Sequence, residues 1–114
     1  MSKFRPQFAK GFAKDLRRYA GLRRQIQNKV EQVLDDPYRS SELLTIGRWS
    51  DLRGKRSVRI TKKFRLVFAV CEECLNRGFK DRGFNNCAGC TKTVPDDIVV
   101  FLSIGPRDTA YGRL

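Results

Sequence analysis

The sequence predicts an α+β fold in which a small, mostly antiparallel sheet packs on an N-terminal helical hairpin, in the element order β-α-α-β-β-β. Three patterns of apolar residues support it: helical spacing in the first third, alternation from 58 to 68, and a continuous run over 98–104. These patterns are typical of surface helices, half-buried strands and a strand covered on both faces. With 114 residues, 40% of them hydrophobic, the chain has material for one core, so we expect a single domain over 1–114.

The first third of the sequence predicts a short opening strand at residues 3–5 and then two helices. Pro6 suits the first turn of the first helix, Gly21 interrupts the pattern, and Asp35-Asp36-Pro37 ends the second helix because proline disfavours helical geometry in the residue before it. The apolar stripe of the first helix consists of Phe8, Phe12, Leu16 and Tyr19, and that of the second consists of Leu22, Ile26, Val30, Val33 and Leu34.

Two strands around residues 58–68 predict a hairpin whose register follows from their alternation. Pairing Val58 with Leu66 keeps the apolar residues of both strands on one face and leaves residues 61–63 as the turn, whereas a slip by one residue turns one strand's apolar set outward. The same register places Arg59 opposite Arg65 on the other face. Two arginines side by side repel each other unless an anion lies between them, so this pair predicts a phosphate site.

Charge points to a polyanionic partner. The chain carries 24 Lys and Arg against 12 Asp and Glu, for a net charge of +12, and residues 1–70 hold all of the excess. A field of this sign attracts nucleic acid, although a generally basic surface or a membrane-surface binder stays open. No apolar run is long enough to span a membrane, and residues 1–14 do not resemble a secretory signal, so we expect a cytoplasmic protein without a membrane partner.

Four cysteines form two C-x₂-C pairs, Cys71 with Cys74 and Cys87 with Cys90, separated by twelve residues. This spacing predicts a structural zinc site with four thiolate ligands and no open position for catalysis. Iron is the competing metal for four thiolates, and two disulfides or four free thiols are the alternatives without a metal. We therefore interpret residues 71–97 as a zinc-binding hairpin inserted between the last two strands.

Residues 51–70 are similar to the central hairpin of RelE/YoeB-type toxins of the RelE/ParE superfamily. They comprise a leucine-glycine loop, a basic strand, and the strand Phe-Arg-Leu-Val-Phe. The Asp-Pro after the second helix and the ending Ile-Gly-Pro-Arg-Asp with Tyr111 fit the same pattern. The resemblance covers residues 1–70 and 98–111 and leaves the cysteine segment outside it.

The resemblance implies the toxin of a toxin–antitoxin pair, a ribosome-dependent endoribonuclease that cleaves mRNA by 2′-hydroxyl attack on the adjacent phosphate. It implies mRNA on the ribosome and a cognate antitoxin protein as partners. Arginines suit the phosphate because their fixed fork of donors keeps its charge, and a tyrosine could position or deprotonate the 2′-hydroxyl. The implied catalytic residues are Arg59, Arg65, Arg107 and Tyr111. Arg59 matches the arginine of YoeB-like members, whereas in an alignment with RelE-like members Arg56 takes one lysine position and Val58 falls at the second. The candidate RNA-binding residues are Lys55, Arg56, Lys62 and Lys63.

The general base is the part of the resemblance that the sequence leaves unassigned. The chain has no histidine, Ile46 falls near the position of the glutamate that YoeB-like members use, and Glu42 is a neighbour of that position. Two other functions therefore stay open: a ParE-like toxin that inhibits gyrase without cutting RNA, and an inactive, zinc-stabilised module that binds RNA or the ribosome.

Overall fold

A computed structural model describes residues 4–44, 54–79, 82 and 96–106 of the chain. Five strands form one mixed sheet in the order β1-β5-β4-β3-β2, in which β1 is parallel to β5 and the other neighbours are antiparallel. The elements in chain order are β1 (Arg5–Phe8), α1 (Lys10–Arg18), α2 (Arg23–Asp35), β2 (Glu42–Leu43), β3 (Arg56–Arg59), β4 (Phe64–Val70), α3 (Cys71–Asn76) and β5 (Ile98–Pro106).

Helices α1 and α2 cover one face of the sheet and form the main core with it. Phe12 of α1 and Ile26 of α2 are buried in the same cluster as Leu66, Phe68 and residues of β5. A second cluster occupies the opposite face, with members Leu44, Val67, Ala69, Val100 and Leu102. Strand β5 is therefore covered on both faces, as its continuous apolar run predicts, and it extends two residues further than predicted.

The start of the chain differs from the prediction, because Pro6 and Phe8 belong to strand β1 and not to the first helix. Proline is tolerated there because β1 lies at the edge of the described sheet, next to β5. The Phe8 ring lies 5.1 Å from that of Phe12 and 5.4 Å from that of Phe101, measured between centroids. The helical spacing of Phe8 and Phe12 thus reflects packing across a strand–helix junction.

The predicted junction and end of the helices are confirmed. A 3₁₀ turn over Ala20–Leu22 separates α1 from α2, and α2 ends at Asp35. Asp15, only 1% exposed, anchors α1 to the sheet by accepting a hydrogen bond from the Ile104 amide at 2.9 Å. Strand β2 and helix α3 were not predicted. No helix in the described part of the chain has the length and apolar character that crossing a membrane requires.

The hairpin register predicted from alternation is confirmed. Val58 lies opposite Leu66, Arg59 lies opposite Arg65, and the Ile60 amide donates to the Phe64 carbonyl oxygen at 2.9 Å. Val58 and Leu66 belong to the core beneath the helices. Because side chains alternate across a strand, Arg59 and Arg65 project from the opposite face of the sheet.

Candidate nucleic-acid interface

A cavity of about 390 Å³ lies on the sheet face away from the helices. Arg39, Ser40, Ser41, Glu42, Ser57, Arg59 and Arg65 line it. Strands β3 and β4 form its floor. Residues 39–42, called the pocket wall below, form one side. Three guanidinium groups and one carboxylate therefore share one open cavity.

Strand pairing explains why these residues meet. Glu42 lies opposite Ser57 across β2 and β3, and Arg59 lies opposite Arg65 across β3 and β4. Ser57 and Arg59 are two residues apart on one strand and so share its face. The short strand β2 thus brings Glu42, far from Arg65 in sequence, to the same surface.

The cavity is suited to an anion with several oxygen atoms. Arg59 is exposed and Arg65 is half-buried, with its Nη1 at a marginal 3.5 Å from the carbonyl oxygens of Lys62 and Phe64. Guanidinium groups match phosphate geometry through paired N–H donors. A bound phosphate would also remove the repulsion between two facing arginines, and the Glu42 carboxylate beside them is an acceptor for a proton.

The candidate RNA-binding residues occupy different environments. Lys62 and Lys63 are exposed at the hairpin turn beside Arg59 and Arg65, and Lys55 is half-buried. Arg56 is only 8% exposed and lies on the helix side of β3, where Val58 also points. It is therefore not part of the open cavity.

Arg56 forms a buried, two-pronged ion pair with Glu73 of α3. Its Nε donates to Glu73 Oε1 at 2.9 Å and its Nη2 donates to Oε2 at 2.7 Å. The Tyr38 ring lies 4.8 Å from the Arg56 guanidinium carbon, and the Tyr38 hydroxyl donates to Glu72 Oε1 at 2.7 Å. Burial, and then the hydrogen bond to Glu72, raise the pKa of Tyr38 above its ordinary value.

Sequence reasoning missed Glu73 and Tyr38, although one signal was available. In the predicted register Arg56 falls on the same face as Val58 and Ile60, which is the buried face. A buried guanidinium needs an acidic partner, so the register alone required a carboxylate near Arg56. The candidates for that carboxylate were too many for the sequence to select Glu73.

Comparison with known proteins identifies the fold. No family model and no curated protein matches the sequence. Several solved structures match this chain, among them two that match along most of their lengths. The chain has a RelE-like fold. The crystal structure of the toxin–antitoxin complex RelBE2 from Mycobacterium tuberculosis matches with a TM-score of 0.62 and 16% identity, covering 94% of each chain. YafQ from E. coli matches with a TM-score of 0.60 and 11% identity, covering 96% of this chain and 99% of the other.

In this RelE-like fold, the cysteine segment begins directly at the end of β4 as helix α3. Cys71 and Cys74 are half-buried and three residues apart on that helix, so their side chains lie on one side of a single turn. Glu72 and Glu73, between these two cysteines, are engaged by Tyr38 and Arg56. Cys87 and Cys90 lie outside the described residues, as do Arg107 and Tyr111.

A second cationic surface lies on helix α1 and the start of helix α2. It consists of exposed Lys10, Lys14, Arg17, Arg18, Arg23 and Arg24. Asp15, the acidic residue within this stretch, is buried. The molecule therefore presents positive charge on both sides of the sheet, in the cavity and on the helices.

Proposed function

We propose that the chain is the toxin of a toxin–antitoxin pair and cleaves mRNA on the ribosome by 2′-hydroxyl attack on the adjacent phosphate. The observation that carries the proposal is the cavity in which Arg59 faces Arg65 with Arg39 and Glu42 alongside. The RelE-like fold supports it, because a structural neighbour was solved as a toxin–antitoxin complex. A cognate antitoxin protein is accordingly a proposed partner.

The proposed roles follow from charge and position. Arg59 and Arg65, with Arg107, stabilise the negative charge that builds on the phosphate during attack. Tyr111 positions the 2′-hydroxyl, and either the Tyr111 phenolate or the Glu42 carboxylate accepts its proton. The attack forms a 2′,3′-cyclic phosphate and breaks the bond to the 5′-oxygen of the next nucleotide, which leaves and takes up a proton from water. Lys62 and Lys63 hold the RNA backbone at the edge of the cavity, and the ribosome orients the substrate so that a modest set of proton-transfer groups suffices.

The test compares mRNA ends in translating cells that express the wild type, Arg65→Ala or Arg5→Ala. Arg5 provides a matched control because it is an exposed arginine on strand β1, away from the cavity. It forms ion pairs with Asp96 and Asp97. We expect codon-phased cuts with the wild type and Arg5→Ala, and their loss with Arg65→Ala. Growth arrest with intact mRNA and altered DNA supercoiling would instead indicate a gyrase inhibitor. Absence of both effects would indicate an inactive binding module.

We propose that Cys71, Cys74, Cys87 and Cys90 hold one structural zinc ion. The half-buried C-x₂-C pair on α3 supports this assignment, together with the spacing of the second pair. A closed four-thiolate site would stabilise the connection between β4 and β5 without taking part in cleavage. We expect metal analysis to find one zinc per chain in the wild type and loss of it in Cys74→Ser and Cys87→Ser. Unchanged zinc content in both variants would contradict the assignment.

A further inference from the structure

The pocket wall is supported from behind by Arg56. Its Nη1 donates to Ser41 Oγ at 3.3 Å, and the Ser41 hydroxyl donates in turn to the Pro37 carbonyl oxygen at 2.6 Å. Ser41 lines the cavity together with its neighbours Arg39, Ser40 and Glu42. Ser41, a residue of the pocket wall, is thus held by a guanidinium that itself lies outside the cavity.

The orientation of Arg56 is in turn set by the cysteine-bearing helix. Glu73 is 4% exposed and lies between Cys71 and Cys74 in the chain. Both of its carboxylate oxygens receive N–H donors of Arg56, and the Tyr38 ring covers the guanidinium. With the plane of the guanidinium defined by Glu73, its third donor group, Nη1, is aimed at Ser41.

We infer that Arg56 and Glu73 are positioning residues that hold the pocket wall against Arg59 and Arg65, and thereby join the cysteine-bearing helix to the candidate site. The site affected is the one named in the proposed function, and the inference rests on that proposal for its ligand, RNA. Neither residue contacts the substrate. Both act through Ser41 and the backbone next to it.

The physical argument is that a buried ion pair contributes direction more than stability. Removing two charges from water is costly, and apolar residues of similar volume often stabilise a fold as well as or better than the pair. An apolar pair, however, has no donor for Ser41. The arrangement of Glu73, Arg56 and Ser41 therefore supplies a directed contact to the wall, which simple packing of α3 against β4 and β5 does not provide.

The decisive variant is the double substitution Arg56→Met with Glu73→Leu, because it removes both charges together and leaves neither buried alone. The control is Glu31→Leu, which removes a carboxylate from an exposed position on α2. Three quantities are measured for each protein: the urea unfolding midpoint, amide hydrogen exchange along the chain, and the Kd for a short RNA with a 2′-deoxy block at the cleavage position.

We expect the double variant to unfold near the wild-type midpoint but to bind the RNA about tenfold more weakly, because small misplacements of binding groups reduce binding and rate strongly. Exchange should accelerate locally, at the Leu44 amide that donates to the Lys55 carbonyl oxygen and at its neighbours in the wall and β2. Exchange in α1 should stay unchanged, and Glu31→Leu should match the wild type in all three measurements.

The outcomes separate the inference from the proposed function. Wild-type binding and wild-type exchange at residues 39–44 in a folded double variant would overturn the inference. So would acceleration of exchange throughout the chain, since it would indicate loss of stability alone. If the wild type makes no codon-phased cuts in translating cells, the proposed function fails, whereas local exchange in the double variant still decides whether Arg56 and Glu73 hold the wall.

Discussion

Two arginines three residues apart on β3, Arg56 and Arg59, differ in exposure: the first is buried and the second is exposed. Arg56 points to the helix side of the sheet, where it forms an ion pair with Glu73. Arg59 points to the open cavity opposite Arg65. Both contribute equally to the net charge of +12. Net charge therefore indicates the class of partner, while the face of the strand decides which charges a partner can reach.

The largest effect is expected when Arg56 loses its charge and Glu73 keeps its own. Arg56→Met leaves a carboxylate that is buried without its two-pronged partner, and breaking a buried pair in this way costs about 3 kcal/mol or more. The free energy of unfolding in urea measures the loss. A destabilisation no larger than that of an ordinary surface substitution would mean that Arg77, whose Nε lies 3.4 Å from Glu73 Oε2, replaces Arg56 as partner.

The same substitution on the other face should act on binding and not on folding. Arg59 is exposed, so Arg59→Met should change the free energy of unfolding by less than about 0.5 kcal/mol. It should weaken binding of the blocked RNA by about tenfold, and because a phosphate contact is lost, it should lower the salt dependence of log Kd by roughly 0.7. Unchanged affinity and salt dependence would remove Arg59 from the proposed interface.

The smallest effect is expected at Tyr38, at the edge of the Arg56 cluster. Tyr38→Phe removes the hydroxyl donor to Glu72 and keeps the ring over Arg56, so it should cost about 1 kcal/mol. The pKa of Tyr38 is raised in the folded chain above its ordinary value of 10.0. The stability that the hydroxyl contributes is therefore fully present below pH 10 and is lost as the pH rises through the higher, folded-state pKa. In urea unfolding, the stability advantage of the wild type over Tyr38→Phe should shrink as the pH rises above 10.

Much of the architecture could be predicted because its signals are local. Alternation in residues 58–68 determined the hairpin register, since a slip by one residue exposes an apolar face. The continuous apolar run predicted the doubly covered strand β5. By contrast, Phe8 followed helical spacing for a tertiary reason, its packing on Phe12 and Phe101, and strand β2 is too short to leave a pattern.

The candidate site also contains some residues that the sequence predicts and others that it does not. The facing arginines Arg59 and Arg65 follow from the hairpin register, a short-range property. Glu42 enters the cavity through the pairing of β2 with β3, and Glu73 reaches Arg56 across 17 positions of sequence. No periodicity encodes such encounters, because they depend on how distant segments pack.

The sequence by itself determined the class of fold, the register of its central hairpin, the excess of positive charge and the grouping of the cysteines. Each of these is a property of neighbouring residues or of composition. The tertiary structure alone decided that Glu73 is the carboxylate that pairs with Arg56 and that Glu42 joins Arg59 and Arg65 in the cavity. A buried arginine forms an ion pair with an acidic partner and cannot bind a phosphate, whereas an arginine on the open face can.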